Sequence, residues 1–345
     1  MILADKRIVV TGGTGSLGKT LVHRILSGEL GTPKKVIIFS RDEAKQHDIR
    51  IQYLSKAVVT DEVIYRNFMS ILEMRIGDVR DYPSVCSVLK DADIVFNTAS
   101  LKQVPTCEYF PVQALQTNCI GAYNIARAIE ENDYPVETVV GISTDKACKP
   151  VSVMGMTKSI QERIFIAANI MSPKTRLICV RYGNVLASRG SVIPLFLEQI
   201  RHGGPVTITI PEMTRFLLSL DEAVDTIFAA VRGADPGDIY IPGAPSTTVL
   251  TLAQALIGDR KVDTVVTGIR PGEKMHEIMV SEDEVNRSFK NGDYYTIRPM
   301  LPELRRENDL LGPCLTKEFS SADEPLNYHD TVALLKKHDL LPKAT

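Results

Sequence analysis

Short apolar runs alternate with longer stretches of helical periodicity along the first half of the chain. The runs occupy residues 7–11, 35–39, 74–78, 93–98, 138–143 and 177–182. Strands that are apolar on both faces and separated by helices are typical of a parallel sheet covered by helices on both sides. The pattern therefore predicts an α/β fold with a doubly wound parallel sheet.

Near residue 183 this alternation gives way to glycine, proline and short elements. We expect the later part to form a smaller domain over the carboxyl ends of the strands, where sheets of this kind bind ligands. The tail is predicted to be loop-rich, with one amphipathic helix near 328–338. The predicted division is a sheet domain of 1–182, completed by about 217–235, a smaller domain of 183–216 and 236–285, and a C-terminal extension of 286–345.

The charges of the chain are nearly balanced, with 40 Lys and Arg against 42 Asp and Glu in 345 residues. Because nucleic-acid binding requires a concentrated basic excess, no nucleic acid is expected as a partner. The six cysteines form no CxxC pair and the six histidines lack ligand spacing, so no metal is expected. No apolar stretch is long enough to span a membrane, and the N-terminus leads straight into a strand. Both features favour a cytoplasmic protein.

The first predicted strand runs directly into the glycine-rich loop TGGTGSLG, which an amphipathic helix follows. Glycines keep such a loop tight and let the backbone approach a pyrophosphate, whose charge the helix N-terminus attracts. Because strand, loop and helix occur in this order, the loop predicts a dinucleotide site. Its predicted cofactor-binding residues are Gly12, Thr14, Gly15, Ser16, Leu17 and Gly18.

The end of the second predicted strand bears on which dinucleotide is bound. An NAD site usually has an acid there for the ribose 2′-hydroxyl. Here Ser40 and Arg41 occupy that end, and Lys45 follows a turn later, a set that suits a 2′-phosphate. NADP is therefore favoured, although the neighbouring Asp42 leaves NAD open. The predicted cofactor site is completed by Asp78, as an acceptor for the adenine amino group, Val79 and Ala99.

A second group of polar residues follows the fifth predicted strand, in the segment STDKACKP. Thr144, Asp145 and Lys146 stand where that strand is predicted to end, so a hydroxyl, a carboxyl and an amine reach the ligand-binding edge of the sheet. The next helix carries Lys158 in the segment MGMTK. A carboxyl beside an amine at a strand end supplies an acid and a base for proton transfer.

Nine motifs follow one another over roughly residues 5–280, namely TGGTGSLG, FSRDEAKQ, GDVRD, SLKQVP, STDKACKP, MGMTK, RYGNVLASRGSVIP, MTRF and RPGEK. In this order they resemble the extended short-chain dehydrogenase/reductase family. Within it they are most similar to the nucleotide-sugar 4,6-dehydratases that act on UDP-N-acetylglucosamine, in the soluble capsular-polysaccharide branch. The resemblance implies an NAD(P)-binding Rossmann domain with a smaller substrate-binding domain. It also implies a homo-oligomer, often a hexamer, working in capsule or O-antigen synthesis.

In that superfamily the strand is usually followed by Tyr-x-x-x-Lys, whose phenol takes the proton of the substrate hydroxyl. Here Met154 stands at the tyrosine position and Lys158 at the lysine position, as in the soluble branch. A thioether can neither donate nor accept a useful proton. The resemblance implies that Lys158 fixes the nicotinamide ribose. The base for the C4 hydroxyl stays open between Asp145 and a water relayed by Thr144 and Lys158.

The resemblance further implies a reaction in which C4 of the sugar is oxidised, water is eliminated across C5 and C6, and hydride returns to C6. Lys146 is implied to take the C5 proton and Asp145 to protonate the leaving C6 oxygen, while Thr144 binds the C4 hydroxyl. We expect burial and the nearby Lys158 to lower the pKa of Lys146. Cys148, close to this group, is the cysteine we expect to react with thiol reagents.

Six further residues are predicted to bind the UDP-sugar. Guanidinium groups pair with phosphate oxygens, and carboxylates accept from ribose hydroxyls. The predicted contacts are Arg215 and Arg270 with the diphosphate, Glu273 with the uridine ribose, Val192 with the uracil, Lys102 with the sugar, and Asn184 with the diphosphate or the N-acetyl group.

The leading interpretation is a UDP-N-acetylglucosamine 4,6-dehydratase, a hydro-lyase that inverts C5. A UDP-sugar 4-epimerase is the first alternative, because it shares the scaffold and does not need Asp145 and Lys146 for an elimination. A non-catalytic NADP-binding sensor is the second, since many such modules lose the tyrosine. A sensor, however, has no need for the two lysines and the aspartate together.

Overall fold

The computed structural model describes residues 1–55, 62–186, 191–305 and 315–342. Its strands are β1 (Arg7–Thr11), β2 (Lys35–Ser40), β3 (Leu72–Ile76), β4 (Ile94–Asn97), β5 (Thr138–Ile142), β6 (Arg176–Val180), β7 (Asn184–Val185), β8 (Val206–Ile208), β9 (Thr214–Leu218), β10 (Ile239–Pro242), β11 (Ser246–Thr248), β12 (Thr264–Val266), β13 (Ile278–Val280), β14 (Ser288–Asn291), β15 (Tyr294–Ile297) and β16 (Phe319–Ser320). Its α-helices are α1 (Ser16–Leu26), α2 (Glu43–Leu54), α3 (Glu62–Ile71), α4 (Tyr82–Leu89), α5 (Val104–Tyr109), α6 (Pro111–Ala114), α7 (Gly121–Asn132), α8 (Val153–Met171), α9 (Val192–Arg201), α10 (Leu220–Gly233), α11 (Val249–Ile257), α12 (Glu282–Val285) and α13 (Tyr328–Lys337). None of these helices is long and apolar enough to cross a membrane.

A nine-stranded sheet forms the centre of the fold, with the strand order β14-β15-β10-β6-β5-β4-β1-β2-β3. The strands from β3 to β10 in this order run parallel, and β15 and β14 close the edge antiparallel. The strand order reverses at β1, which pairs with β2 on one side and with β4 on the other. The doubly wound parallel sheet predicted from the sequence is thereby confirmed, and its ligands are expected at the carboxyl edge beside β1 and β4.

Helices cover both faces of the sheet and bury the apolar sides of its strands. On one face α1 and α10 contribute Leu21 and Ile227 to the core. On the other face α7 and α8 contribute Ile125 and Phe165. Because the strands are held from both sides, the loops at their carboxyl ends start from fixed positions, which is what a binding site on loops requires.

A third apolar cluster holds the smaller part of the fold together. It joins α9, α11 and α13 through Phe196, Leu252 and Leu335. Helix α13 coincides with the amphipathic helix expected near 328–338, and Asn327 caps its N-terminus by accepting from the Asp330 backbone N–H. The boundaries between the sheet domain, the smaller domain and the C-terminal extension remain a prediction.

The hairpin of β14 and β15 departs from the loop-rich tail expected from the sequence. Strand β14 pairs antiparallel with β15, and β15 pairs antiparallel with β10, so this hairpin extends the central sheet. Asn291 ends β14 opposite Tyr294, so the turn is formed by Gly292 and Asp293, and Gly292 has a φ of 61°. A Gly-Asp pair between two short strands is a hairpin signal, so the sequence did contain the information.

Candidate active site

A cleft of about 890 Å³ runs along the carboxyl edge of the sheet and under the smaller part of the fold. The glycine loop, the turn after β5, the start of α8 and the segment around Arg270 all line it. Every residue predicted to bind cofactor or substrate lines this cleft, and so does every predicted catalytic residue except Asp145. The roles given to these residues remain predictions.

The glycine loop packs so tightly that side chains are excluded at two positions. Gly12 has a φ of 66°, and a Cβ there would lie 2.7 Å from the Cα of Ala99. A Cβ on Gly18 would lie 2.6 Å from the Cα of Gly13. A Cβ on Gly15, by contrast, would meet only the Gly12 carbonyl oxygen, at 3.4 Å, so this residue faces open space.

The open face of the loop is the N-terminus of α1. Gly15 is the N-cap and brings no side chain to satisfy the first N–H groups of the helix. These groups have no partners within the helix, and the helix dipole makes this end positive. The loop and helix therefore fit the pyrophosphate of a dinucleotide, as the sequence predicts.

Charged side chains at the end of β2 are paired with carboxylates. Lys45 forms an ion pair with Asp42, and the Arg41 Nη1 lies 3.7 Å from the Asp78 Oδ2. Burial alone would raise the pKa of Asp78, but hydrogen bonds from Arg80 outweigh burial and hold that pKa below its usual value. The Arg41 side chain is still 51% exposed towards the cleft. The part of the cleft lined by Asp78 and Arg41 thus offers an ionised carboxylate and an accessible guanidinium.

The turn after β5 brings three functional groups together. Residues Asp145–Ala147 form one turn of 3₁₀ helix, which Thr144 caps at its N-terminus. The Thr144 hydroxyl donates to the Asp145 Oδ1 over 2.8 Å, and the Lys146 ammonium donates to the same oxygen over 3.0 Å. Lys146 also donates to the Asn184 Oδ1 over 3.0 Å. Asn184, which is predicted to bind the N-acetyl or diphosphate group, therefore accepts a hydrogen bond from Lys146, the predicted base for C5.

Glu277 joins this group, and the sequence analysis did not single it out. Its Oε1 lies 3.1 Å from the Lys146 Nζ, and only 1% of the residue is exposed. Burial lowers the pKa of Lys146, but the carboxylates of Asp145 and Glu277 outweigh burial and raise it above its ordinary value. The expectation of a lowered pKa is therefore wrong for the free protein, because it left out the second carboxylate.

Asp145 lies behind the wall of the cleft and is fully buried. Its pKa is raised. Burial is the largest cause and the Glu277 carboxylate adds to it, while Lys146 and Thr144 act in the opposite direction. Its Oδ2 has no hydrogen-bond partner among the described residues. A buried carboxyl with a raised pKa and a free oxygen is suited to hold a proton.

Helix α8 carries the two residues at the Tyr-x-x-x-Lys positions, Met154 in place of the tyrosine and Lys158 as the lysine. Ser152 caps the helix, and Gly155 packs so close to the turn that a Cβ would lie 2.3 Å from the Lys146 carbonyl oxygen. Met154 is 4% exposed and packs against Cys107, so its thioether fills space beside the cleft. The Lys158 ammonium donates to the Ile142 carbonyl and to the Gln161 side chain.

The charge of Lys158 is disfavoured in the fold. Burial lowers its pKa to about 8, against the weaker opposing effect of Cys179 and Glu162. Near neutral pH a fraction of this lysine is therefore uncharged and able to accept a proton. Gln161 also donates to the Ile142 carbonyl over 3.0 Å, so a fixed amide orients the ammonium.

The predicted substrate residues form another part of the lining of the cleft. Arg215 is buried, and its Nη1 donates to the Thr214 carbonyl over 2.7 Å. Arg270 is exposed, and its backbone N–H donates to the Glu273 carboxylate over 3.3 Å. One fixed and one exposed guanidinium thus face the same space. The remaining residues on this wall are Lys102, Asn184 and Val192.

Cys148 does not have the properties expected of a reactive thiol. It is 3% exposed, and burial raises its pKa to about 12. A thiol that is neither accessible nor ionised is inert, so this expectation is wrong. The five cysteines within the described ranges are free, and no group of metal-ligating side chains occurs there. Cys314, and residues 187–190 of the RYGNVLASRGSVIP motif, lie outside these ranges.

Comparisons with known proteins agree with the fold. The UDP-glucose 4-epimerase of Rickettsia conorii is 43% identical over 301 residues, which cover 86% of this chain and 84% of the relative. The structure of Pen from Bacillus thuringiensis is 30% identical, has a TM-score of 0.86 and covers 99% of this chain and 100% of its own. The dTDP-glucose 4,6-dehydratase DesIV of Streptomyces venezuelae, solved with NAD bound, is 20% identical with a TM-score of 0.66, covers 78% of this chain and 86% of its own, and shares the fold.

A family model described as polysaccharide biosynthesis protein matches residues 8–299, which include the glycine loop and every residue of the candidate site. This chain belongs to the polysaccharide biosynthesis protein family and has the Rossmann fold of the extended short-chain dehydrogenase/reductases.

Proposed function

We propose that this chain, among the nucleotide-sugar dehydratases and epimerases that its family and fold indicate, is a C5-inverting UDP-N-acetylglucosamine 4,6-dehydratase. The observation that carries the proposal is the acid/base pair of the buried Asp145 and the cleft-lining Lys146, in a cleft that Lys158 also lines. Oxidation at C4 alone needs one proton acceptor, whereas elimination of water across C5 and C6 needs a further base and a further acid. The product would be a UDP-4-keto-6-deoxy-N-acetylhexosamine for surface polysaccharide, made by a homo-oligomer.

We propose NADP as the cofactor. When bound, its nicotinamide supplies a hydride acceptor for C4 and a hydride donor for C6. The glycine loop and the N-terminus of α1 would hold the pyrophosphate, and Lys158 would hold the nicotinamide ribose. Ser40, Arg41 and Lys45 would face the 2′-phosphate, for which the exposed guanidinium of Arg41 is the strongest support.

The first proton to move is that of the C4 hydroxyl. Thr144 and Lys158 line the cleft, whereas Asp145 does not, which favours transfer through the Thr144 hydroxyl or a water to the Lys158 amine. The pKa of Lys158, lowered by burial to about 8, suits such a base. Met154 takes no part in proton transfer and limits the space beside the sugar.

The second proton is that of C5, which becomes acidic once C4 is a ketone. Lys146 would take it after giving up its own proton to the Asp145 carboxylate, because the neighbouring carboxylates raise the pKa of Lys146 and hold it as an ammonium. Asp145 would provide the proton for the C6 oxygen, which leaves as water. Since Asp145 is buried, this proton would pass through the Thr144 hydroxyl, which Asp145 contacts at 2.8 Å.

The UDP part of the substrate would occupy the part of the cleft that Arg215, Arg270 and Glu273 line. Arg215 and Arg270 are positioned to face the diphosphate, and Glu273 to face the uridine ribose. The start of α9 at Val192 would receive the uracil. Lys102 and Asn184 would contact the sugar, the latter from its position on the Lys146 ammonium.

A UDP-sugar 4-epimerase is the second candidate, and the names of the Rickettsia relatives favour it. An epimerase oxidises C4 and returns the hydride to the opposite face of the same carbon. Such a reaction leaves no task for a base at C5. The presence of Lys146 between two buried carboxylates is the feature that this candidate does not explain.

The substitution Lys146→Ala distinguishes the two candidates when the product is followed by proton NMR with UDP-N-acetylglucosamine as substrate. The wild-type protein should form a C6 methyl group, and the variant should lose this signal. Lys149→Ala, which removes an exposed lysine from the same segment, is the matched control and should keep it. Full methyl formation by Lys146→Ala would contradict the assigned base, and UDP-N-acetylgalactosamine as the only product of the wild type would support the epimerase.

A further inference from the structure

We propose that Glu277 is a positioning residue that acts through Lys146, holding its ammonium against Asn184 and linking it to Arg215. This inference rests on the proposed function, since it concerns the group assigned to take the C5 proton. Glu277 lies directly before β13 and faces the cleft. It is contributed by the part of the chain that packs over the sheet, whereas Lys146 belongs to the turn that follows β5.

The backbone of Glu277 is held in place from both sides. Its N–H donates to the Ser321 hydroxyl over 2.9 Å, and its carbonyl accepts from the Ser321 N–H over 2.8 Å. The Ser321 hydroxyl also lies 2.7 Å from that of Thr214, the residue before Arg215. Ser321 is fully buried. A carboxylate held this firmly has the fixed geometry that orienting another side chain requires.

The side chain of Glu277 is surrounded by cations. Its Oε1 lies 3.1 Å from the Lys146 Nζ and 3.9 Å from the Arg215 Nε, and its Oε2 lies 3.8 Å from the Lys274 Nζ. The groups that face Lys146 are Asp145, Glu277 and Arg215. Lys146 thus lies between two carboxylates. Of the two, Glu277 is the one that also lies near Arg215, which is predicted to bind the diphosphate.

The two carboxylates differ in which protonation state they favour. Burial opposes ionisation of Glu277, but Lys146, Arg215 and Lys274 outweigh it and lower its pKa. Burial raises the pKa of Asp145, so that Asp145 more readily holds a proton. Because their pKa values are shifted in opposite directions, Asp145 is suited to act as an acid and Glu277 as a permanent counter-ion. Glu277 therefore keeps a negative charge next to Lys146 throughout, while Asp145 exchanges its proton.

The test compares Glu277→Gln, which keeps the shape and removes the charge, with Glu277→Asp, which keeps the charge. Glu282→Gln removes an exposed carboxylate of the adjoining helix and is the matched control. The measurement is the pH profile of kcat for methyl formation. We expect the limb that reports Lys146 to move down by about one pH unit or more in Glu277→Gln, because an opposite charge at this distance shifts a pKa by that amount. Glu277→Asp should keep the wild-type limb at a lower kcat, and Glu282→Gln should match the wild type.

A second measurement follows Lys146 directly, without turnover. The protein is labelled with ¹³C at the lysine Cε, the Lys146 signal is assigned with Lys146→Arg, and its titration is recorded for the wild type, Glu277→Gln and Glu277→Asp. The inference predicts a lower titration midpoint in Glu277→Gln. An unchanged midpoint, or an equal shift in Glu277→Asp, would overturn it. If the wild type forms no methyl product, the proposed function fails, and this titration still decides the role of Glu277.

Discussion

Lys158 is the residue whose environment opposes its charge most clearly. Burial lowers its pKa to about 8, from an ordinary value of 10.5. Between these two pH values the unfolded chain holds the proton and the folded protein does not. The contribution of Lys158 to the free energy of unfolding must therefore rise with pH across this window, by up to about 1.4 kcal/mol for each pH unit.

The variant Lys158→Met isolates this effect because methionine does not titrate. We expect the stability of the wild type, relative to Lys158→Met, to increase as the pH rises from 8 towards 10, whatever the difference at pH 7. Urea unfolding of both proteins at several pH values provides the measurement. A difference in unfolding free energy that stays constant over this range would show that Lys158 is not desolvated in the fold.

Asp145→Asn separates deprotonation of the C4 hydroxyl from protonation of the leaving C6 oxygen in the proposed reaction. We expect it to lower methyl formation by about 100-fold or more, the usual size of a general-acid contribution. C4 oxidation should continue, because the cleft-lining Thr144 and Lys158 serve the C4 hydroxyl. Single-turnover absorbance of the reduced nicotinamide follows that step. If nicotinamide reduction fell as far as methyl formation, Asp145 would be the C4 base instead.

Sequence reasoning located the residues that are close together along the chain. Asp145 and Lys146 are neighbours at a strand end, and Lys158 follows on the next helix, so local patterns place them on one edge of the sheet. Glu277 escaped notice because only the folded chain brings it to Lys146. Its segment, directly after the RPGEK motif, could have suggested an acid near the site, but nothing local indicates its contact.

At the level of elements, the glycine loop packs so closely against α1 that a side chain at Gly18 should lower stability. We expect Gly18→Ala to lower stability by about 1–3 kcal/mol, because its Cβ would lie 2.6 Å from backbone. Gly204→Ala, with no atom within 4 Å of its Cβ, is the control and should cost far less. Thermal unfolding of the two variants should separate them clearly, and equal melting temperatures would refute the tight packing.

Gly15→Ala tests the helix N-terminus without disturbing the fold. The Gly15 backbone has a φ of −74°, which alanine adopts freely, and its Cβ would enter the cleft. We expect stability within about 1 kcal/mol of the wild type. NADP affinity, measured by calorimetric titration, should fall about tenfold or more, a loss of about 1.4 kcal/mol. Unchanged affinity would mean that the pyrophosphate lies elsewhere.

Elements with strong apolar runs were predicted well, and weaker ones less so. The first strand matches β1 residue for residue, since its last four positions are buried. The third strand begins at Leu72, earlier than the expected residue 74. An apolar pattern missed this start because Glu73 is charged, and in the fold Glu73 pairs with Arg75. The β14–β15 hairpin was missed because its half-polar strands resemble loops when judged by hydropathy alone.

For the whole molecule, a buried ion cluster ties the sheet to the C-terminal part. Arg181 is 1% exposed and bonds Glu162 of α8 over 2.7 Å and Glu284 of α12 over 2.8 Å. Arg181→Met would leave two buried carboxylates without their cation. We expect a loss of about 3–5 kcal/mol in unfolding free energy, measured with urea.

The control for this substitution is Lys174→Met. Lys174 pairs with Asp133 on the surface, where both side chains are 83% exposed. Such a pair contributes less than about 1 kcal/mol, so the control should unfold close to the wild type. If Arg181→Met also unfolded like the wild type, the cluster would not hold the two parts together.

The overall arrangement was only partly accessible from the sequence. Alternating strands and helices with right-handed crossovers restrict the sheet order, and the glycine loop marks where β1 lies within it. The path of the later chain over the sheet carries no comparable periodicity. Arg215 and Glu277 therefore reach the cleft through contacts between distant segments, which a pattern along the chain cannot show.

The most direct test of the central claim is the product that the whole protein makes from UDP-N-acetylglucosamine in deuterated water. The proposed function predicts, by NMR, a 4-keto sugar with a C6 methyl group, deuterium at C5 and inverted configuration at that carbon. Deuterium at C5 is expected because the C5 proton exchanges with solvent after its removal. A product that lacks the methyl group and keeps its C5 proton, such as UDP-N-acetylgalactosamine, would contradict the account.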